Sequence, residues 1–200
     1  MPVILDRISK SYSDSRNDRV IFQDMSARLE PGQISVVIGK SGVGKSSLLN
    51  LISGIDVPDS GSIMVNGQCV TDMDDTQRTL FRRRKIGFIY QFFNLIPVLS
   101  VIENITLIAE LDGRSPAEYR PRALSLLEQV GLAGRMDDFP DTLSGGEQQR
   151  VAIVRSLVND PGIILADEPT GNLDAETGLA ILALLTDLVR TRGKTLIMVT

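Results

Sequence analysis

The stretch GKSGVGKS, residues 39–46, has the residue types and the spacing of a phosphate-binding loop. It fits the pattern G-x-x-x-x-G-K-[ST], follows an apolar run and precedes a helical pattern, which is the context that this loop requires. Glycines let successive backbone N–H groups curve around phosphate oxygens, and the start of a helix adds partial positive charge. Lys45 would reach the β- and γ-phosphates, and the Ser46 hydroxyl would ligate Mg²⁺. The alternative is a glycine-rich turn that matches by chance.

Two carboxylates follow a second apolar run, in IILADEP at residues 163–169. Asp167 is placed to hold Mg²⁺ through water, because this ion keeps several of its waters. Glu168 would then face an attacking water and polarise it or accept its proton. Two solvated acids at the end of a strand are the alternative, and the presence of the phosphate loop argues against it.

The stretch LSGGEQQR, residues 143–150, predicts a second helix start that is open to an anion. Ser144 can cap the helix, and Gly145 and Gly146 leave backbone N–H groups accessible. An ordinary capped helix is the alternative. One chain needs only one phosphate loop, so a second anion-binding helix start suggests a site that another subunit completes.

Together these residues resemble the ATP-binding subunits of ABC transporters, from Met1 to Thr200. In that family residues 39–46 correspond to the Walker A loop, 163–168 to Walker B with its catalytic glutamate, and LSGGEQQR to the family signature. The resemblance implies that Gln91 senses Mg²⁺ and the attacking water, that Asp174 in GNLD crosses between subunits, and that Tyr12 stacks on adenine, although Tyr12 could be an ordinary surface residue. The ATP-binding residues that it implies are Tyr12, Gly39, Lys40, Ser41, Gly42, Val43, Gly44, Lys45, Ser46, Ser47, Ser144, Gly145, Gly146 and Asp174. It also implies Glu168, Gln91 and Lys45 as catalytic residues, and Ser46, Gln91 and Asp167 as Mg²⁺ ligands.

The stretch at residues 82–105 resembles the branch of this family that serves lipoprotein release, macrolide-type efflux and the cell-division exporter-like complex. That resemblance implies a homodimer beneath two transmembrane permease subunits, located in the cytoplasm on the inner face of the cell membrane. A groove near Phe92, Phe93 and Leu95 would receive the membrane subunit, although these side chains could equally belong to the core. The basic run 82–85 is expected to be a solvated face.

Composition excludes several other functions. A net charge of −4 argues against a general nucleic-acid binder, and the absence of histidine excludes His-based triads and His metal clusters. The single cysteine, Cys69, is expected to be a small core residue. No apolar stretch approaches the roughly 20 residues that a membrane-spanning helix needs.

The chain alternates strand-like and helical patterns, which predicts an α/β fold with a P-loop NTPase core and a mostly parallel sheet. Strand patterns before residue 30 alternate and predict an antiparallel N-terminal β lobe. The β-branched run 34–38 predicts a central parallel strand. Asn66-Gly67 predicts a hairpin, and Ser115, Pro116 and Glu118 predict a helix start. The expected division is a core with the β lobe at 1–90 plus 159–200, and an inserted α-helical subdomain at 91–158.

The final run, TLIMVT at residues 195–200, predicts a buried parallel strand whose carboxyl end lies at the ligand. In the family that this chain resembles, a histidine that contacts the γ-phosphate follows this strand immediately. The chain is therefore expected to be a truncated form of a longer subunit. A terminal carboxylate there would repel the γ-phosphate by roughly 2 kcal/mol at about 8 Å and an effective dielectric of about 20. ATP binding is expected to be weakened and hydrolysis strongly impaired.

Three alternatives to a transport ATPase are compatible with a phosphate loop. A soluble ABC protein of DNA repair or translation would need a long coiled coil or two cassettes, for which 200 residues leave no room. An ATP-dependent clamp with little hydrolysis would use the same residues. A small-molecule kinase would not explain LSGGEQQR.

Overall fold

A computed structural model of the chain describes residues 2–14 and 17–200, which form eight β-strands and six α-helices. The strands are β1 (Val3–Asp14), β2 (Asn17–Leu29), β3 (Ile34–Val37), β4 (Ser60–Val65), β5 (Gln68–Cys69), β6 (Ile86–Ile89), β7 (Ile163–Asp167) and β8 (Thr195–Val199). The helices are α1 (Lys45–Ser53), α2 (Asp75–Lys85), α3 (Val101–Leu111), α4 (Pro116–Gln129), α5 (Gly145–Leu157) and α6 (Ala175–Thr191). None of the helices in the described ranges is long and apolar enough to cross a membrane.

The N-terminal sheet is antiparallel, in the order β2-β1-β4-β5, as the alternating patterns predicted. Its register places Tyr12 of β1 opposite Arg19 of β2. The predicted hairpin joins β4 to β5, with Asn66 at φ 50° and Gly67 at φ 79°. Positive φ at both turn residues is what a two-residue hairpin of this type requires.

The second sheet is fully parallel, in the order β3-β8-β7-β6. Successive side chains along its strands point alternately into two apolar cores. Leu196, Ile164 and Ala166 face the core formed with α3–α6, whereas Ile197 and Leu165 face the core formed with α1 and the antiparallel sheet. The mixed architecture confirms the predicted fold class, and β7 and β8 lie where the apolar runs placed them.

The prediction that β3 is a central strand is wrong. In the described part of the chain β3 pairs only with β8 and lies at the edge of the parallel sheet. Val36 is 45% exposed and Ile38 is 81% exposed. An apolar β-branched run indicates a strand suited to burial, but it carries no information on the order of strands in a sheet.

The helices begin and end where local sequence signals predicted. Ser100 caps α3 and Ser115 precedes α4, each with a glutamate three residues later whose carboxylate accepts from the serine backbone N–H. Gly131, at φ 72°, follows the end of α4. Helices α3, α4 and α5 all lie within residues 91–158 and share one apolar core with α6.

Two minor predictions are wrong. Cys69 is half-buried at the hairpin, where its thiol lies 3.1 Å from the Thr71 hydroxyl, and it is not part of the core. The basic run at the end of α2 is not simply solvated. Arg82 donates to the carbonyl of Gly54, and Arg84 forms an ion pair with Asp112. These long side chains tie α2 to other elements through bonds that no local pattern encodes.

Candidate functional site

A pocket of about 570 Å³ lies at the carboxyl end of the parallel sheet. Parallel α/β sheets bind ligands at this edge. The pocket brings together residues that are far apart in the chain: Tyr12, Arg19, Ile21, Ser41, Gly42, Gly44, Lys45, Ser46, Ser47, Gln91, Asp167 and Glu168. Most of the residues singled out in the sequence therefore share one site.

The phosphate loop leads directly into α1. Gly42 and Gly44 have φ values of 77° and 106°, which favour glycine, and a Cβ at Gly44 would overlap the Ile21 side chain. Lys45 opens the helix and is only 8% exposed. Its Nζ donates to the carbonyls of Gly39 and Lys40 at 2.8 and 3.2 Å, which holds the ammonium group over the loop. Helix start and ammonium together form a positively polarised cradle.

The two carboxylates lie where β7 ends, as predicted. Asp167 is the last residue of β7, and the Glu168 backbone N–H donates to the carbonyl of Val199 on β8 at 3.0 Å. Glu168 has a φ of 44°, an uncommon conformation for a residue with a side chain. Its Oε1 lies 3.7 Å from Lys45 Nζ, so this carboxylate is held beside the phosphate loop.

Gln91 follows β6 and is joined to the loop before α6. The Asn172 side chain donates to the Gln91 carbonyl at 2.9 Å, and Gln91 Nε2 lies 3.5 Å from Asn172 Oδ1. A Cβ at Gly171 would come within 2.8 Å of Gln91 Nε2, so a larger residue there would displace this side chain. The contact connects Gln91 to the GNLD stretch at residues 171–174.

The end of β8 also lies at the phosphate loop. The Gly39 backbone N–H points to the carbonyl of Thr200 at 3.4 Å, and the Thr200 N–H donates to Val37 at 3.1 Å. Thr200 therefore lies beside the phosphate loop.

Other predicted site residues lie outside this pocket. Ser144, Gly145 and Gly146 form the start of α5, where Ser144 caps the helix and Glu147 accepts from the Ser144 backbone N–H at 2.8 Å. Asp174 caps α6, and its bonds with Thr177 hold the pKa of this carboxyl below its usual value. Gly39, Lys40 and Val43 belong to the loop without lining the pocket.

Two pocket residues, Arg19 and Ile21, were not predicted. Both lie on β2, and the guanidinium of Arg19 donates to the carbonyl of Gly42 in the phosphate loop. Only the pairing of β2 with β1 brings them to the loop. The alternation within β2 indicates which side chains share a face, but it does not indicate what that face meets.

The aromatic residues after β6 have divided roles. Phe92 is 69% exposed, whereas Leu95 packs against the core of α3–α6 and Phe93 is half-buried near Gly145. The groove beside them, of about 360 Å³, is lined by other residues of α2, β6, α3 and α5. A groove therefore lies near these three residues, as predicted, but their side chains do not line it.

The oxygen donors in the pocket fit Mg²⁺. Ser46, Gln91 and Asp167 supply a hydroxyl, an amide oxygen and a carboxylate, which are hard ligands. No group of three or more Cys, Asp or Glu residues suited to a metal occurs in the described residues. Mg²⁺ that is bound together with a nucleotide takes most of its other ligands from phosphate and water. A protein site with one carboxylate and a few neutral oxygens is therefore sufficient.

A phosphate loop between a parallel strand and a helix, with two carboxylates on a neighbouring strand, defines a P-loop nucleotide-binding domain. The pattern of one family of such domains, the ABC transporters, matches residues 22–171. The chain belongs to this family, as an ABC transporter ATP-binding subunit.

Known proteins agree with this assignment. The chain is 50% identical, over its full length and 81% of the relative, to an uncharacterised ABC transporter ATP-binding protein of Mycobacterium tuberculosis. It is 46% identical to the lipoprotein-releasing system ATP-binding protein LolD of Maricaulis maris, over 94% of this chain and 82% of that protein. Its fold matches the dimeric ATP-binding cassette MJ0796 bound to ADP and Pi with a TM-score of 0.88 and 40% identity, over 99% of this chain and 87% of that one.

Proposed function

We propose that the chain hydrolyses ATP as one half of a homodimer and thereby drives a membrane partner. Each Mg-ATP would bind between the pocket of one copy and the start of α5 in the other. One observation carries this proposal: the pocket of a single chain holds the phosphate loop and both carboxylates, whereas Ser144, Gly145 and Gly146 lie outside it. The dimeric state of the cassette MJ0796 supports the same arrangement.

The phosphate loop would bind the triphosphate through backbone N–H groups of residues 39–46 and through Lys45. The lysine is nearly buried, so its attraction to a phosphate would be weakly screened. Ser46, Gln91 and Asp167 would hold Mg²⁺, which neutralises charge on the phosphate oxygens when it is bound. Tyr12, which also lines the pocket, would stack on the base.

Glu168 would position the attacking water. The water oxygen forms a bond to the γ-phosphorus, the bond to the β-phosphate oxygen breaks, and Glu168 accepts a proton from the water, so the products are ADP and phosphate. The bond from Glu168 N–H to β8 and the nearby Lys45 keep this carboxylate at the loop. The reaction needs no covalent intermediate, because catalysis is positioning and charge neutralisation.

The start of α5 would complete the site from the partner copy. Residues 91–158 would then act as the helical subdomain that carries this helix to the nucleotide, and 1–90 with 159–200 as the core. Asp174, at the start of α6, would lie at the same interface between copies.

Substituting Ser144 tests the shared site. We expect Ser144→Arg to lower ATP hydrolysis by about 100-fold, as loss of preorganised donors at a reacting phosphate does, while ATP binding to the monomer is retained. Hydrolysis is measured by phosphate release, and binding by titration with labelled ATP.

Ser115→Arg is the matched control, because Ser115 also precedes a helix and pairs with a glutamate three residues later. Both substitutions remove a serine hydroxyl that donates to a glutamate at the start of a helix, at a cost of about 1 kcal/mol in stability. Equal loss of hydrolysis in the two variants would contradict a shared site.

The groove between α2, β6, α3 and α5 supports a protein partner. Its apolar side chains include Ile86, Phe88 and Ile108, and three arginines border it. Arg155 donates to the carbonyls of Asn94 and Phe93, and burial lowers the pKa of its guanidinium. Arg82 and Arg83 likewise donate to backbone carbonyls and, within the described residues, have no carboxylate within 4.0 Å.

An apolar floor with uncompensated cations fits a segment that carries apolar side chains and a carboxylate. We assign it to the transmembrane permease subunit, which would hold this chain at the inner face of the cell membrane. The name of the LolD relative, a lipoprotein-releasing system protein, supports such a partner.

Charge reversal in the groove tests this partner. We expect Arg83→Glu to reduce co-purification with the permease from detergent-solubilised membranes by about tenfold, because like charges would then face each other. Arg192→Glu is the control, since Arg192 also bonds a neutral acceptor, Gln129, but lies away from the groove. Equal recovery of the permease with Arg83→Glu and wild type would exclude the groove.

A further inference from the structure

A buried ion pair lies directly beside Tyr12. Lys10, two residues before it on β1, is only 9% exposed. Its Nζ donates to Asp56 Oδ1 at 2.8 Å and to the carbonyl of Val57 at 2.8 Å, and lies 3.8 Å from Asp59. A buried lysine needs such partners, because an unpaired charge there would be strongly unfavourable.

Asp56 connects this lysine to the tyrosine. Its Oδ2 accepts from the Tyr12 hydroxyl at 2.6 Å, and its Oδ1 also accepts from the Val57 N–H at 2.8 Å. Although burial alone would raise it, the bonds from Lys10 and Tyr12 lower the pKa of Asp56. The carboxylate is therefore ionised at neutral pH and accepts both bonds.

A second carboxylate fixes the same segment to β1. Asp59 Oδ2 accepts from the backbone N–H and the hydroxyl of Ser11, each at 2.7 Å, and the Asp59 N–H donates to the carbonyl of Ser9 at 2.8 Å. Asp56 and Asp59 both follow α1, the helix that begins at Lys45. The contacts thus join the end of the phosphate-loop helix to the strand that carries Tyr12.

A cation also contacts the tyrosine ring. Lys10 Nζ lies over the ring, 5.0 Å from its centroid. Tyr12 nevertheless remains 40% exposed and lines the pocket with Lys45 and Ser46. A ring whose hydroxyl is anchored and whose exposed part lines the pocket is positioned for stacking on a base.

We propose that Asp56 and Lys10 are positioning residues that hold the Tyr12 ring ready to stack on the base of the nucleotide. This proposal rests on the proposed function, because it assumes that the pocket binds ATP. Asp56 acts by accepting the hydrogen bond from the Tyr12 hydroxyl, and Lys10 acts by holding Asp56 and by contacting the Tyr12 ring. Neither residue touches the phosphates.

The test compares ATP with inorganic tripolyphosphate, both with Mg²⁺, because only ATP carries a base. Affinities are measured by calorimetry for the wild type, Asp56→Ala, Tyr12→Ala and the double variant. We expect Asp56→Ala and Tyr12→Ala each to weaken ATP binding by about tenfold, the size of one base–aromatic stacking contact. Tripolyphosphate binding should change by less than about twofold, and the double variant should be no weaker than Tyr12→Ala.

Asp160→Ala is the matched control. Asp160 also pairs with a shielded lysine, Lys194, at 2.8 Å, but it precedes β7 at the sheet edge opposite the pocket. Its φ of 56° makes alanine unfavourable there, so the control destabilises the fold without touching the pocket. The ratio of the affinities of Asp160→Ala for ATP and for tripolyphosphate should equal the ratio for the wild type.

Three results would overturn the proposal. Asp56→Ala could weaken ATP and tripolyphosphate binding equally, which would indicate a structural role only. It could weaken ATP binding further in the Tyr12→Ala background, which would show that it does not act through the ring. Tyr12→Ala could bind ATP as tightly as the wild type, which would show that Tyr12 does not stack on the base, while phosphate binding would be unaffected. Failure of the wild type to bind either probe would remove the proposed function itself.

Discussion

Replacing Glu168 by glutamine is expected to lower ATP hydrolysis by about 10²- to 10⁴-fold, the usual contribution of a general base. The amide keeps the shape of the side chain but cannot accept a proton from water. It also removes the negative charge that lies 3.7 Å from Lys45 Nζ. ATP binding should therefore be retained or strengthened, and the variant should accumulate as an ATP-bound dimer.

Phosphate release measures the loss of hydrolysis, and light scattering with and without Mg-ATP measures the doubling of molar mass. Glu176→Gln is the control, because Glu176 is exposed in the first turn of α6 and does not line the pocket. Unchanged hydrolysis in Glu168→Gln would exclude Glu168 as the base. A wild-type dimer that binds ATP without measurable hydrolysis would instead favour the clamp.

Replacing Lys45 by alanine is expected to weaken ATP binding by about 100-fold. Charge-assisted hydrogen bonds contribute roughly 1.5–3 kcal/mol each, and this ammonium is 8% exposed, so solvent screens it little. The carbonyls of Gly39 and Lys40 would also lose their donor, which loosens the loop. The effect on tripolyphosphate should equal that on ATP, because Lys45 acts on phosphate and not on the base.

The measurement is a titration of each variant with both ligands. Lys194→Ala is the control, since this lysine is also largely shielded and pairs with a carboxylate, but it precedes β8 at the opposite edge of the sheet. Unaltered ATP affinity in Lys45→Ala would contradict phosphate binding at this loop.

The parts of the fold that could be predicted are those that neighbouring residues determine. The phosphate loop, the acids at the end of β7 and the helix starts at Ser115 and Ser144 depend on glycine conformation, strand polarity and bonds across three residues. Such signals lie within a few positions of each other, so the sequence alone places them.

What could not be predicted depends on pairing between distant segments. The edge position of β3 follows from the insertion of β8 between it and β7. Arg19 reaches the phosphate loop only through the register of β1 and β2. The bond between Tyr12 and Asp56 spans 44 positions along the chain. The hydrophobic pattern of a single segment cannot predict contacts between residues that are so far apart in the chain.

The two amide contacts between Gln91 and Asn172 have a mechanical consequence. Gln91 directly follows a groove residue, Tyr90, and Asn172 lies on the loop that leads to α6. Under the proposed function, displacement of either segment would stretch a bond to the other, so this contact would couple changes in the nucleotide pocket to the groove assigned to the membrane partner. Under the same proposal, loss of this contact would leave ATP hydrolysis in place but separate it from movement of the membrane partner.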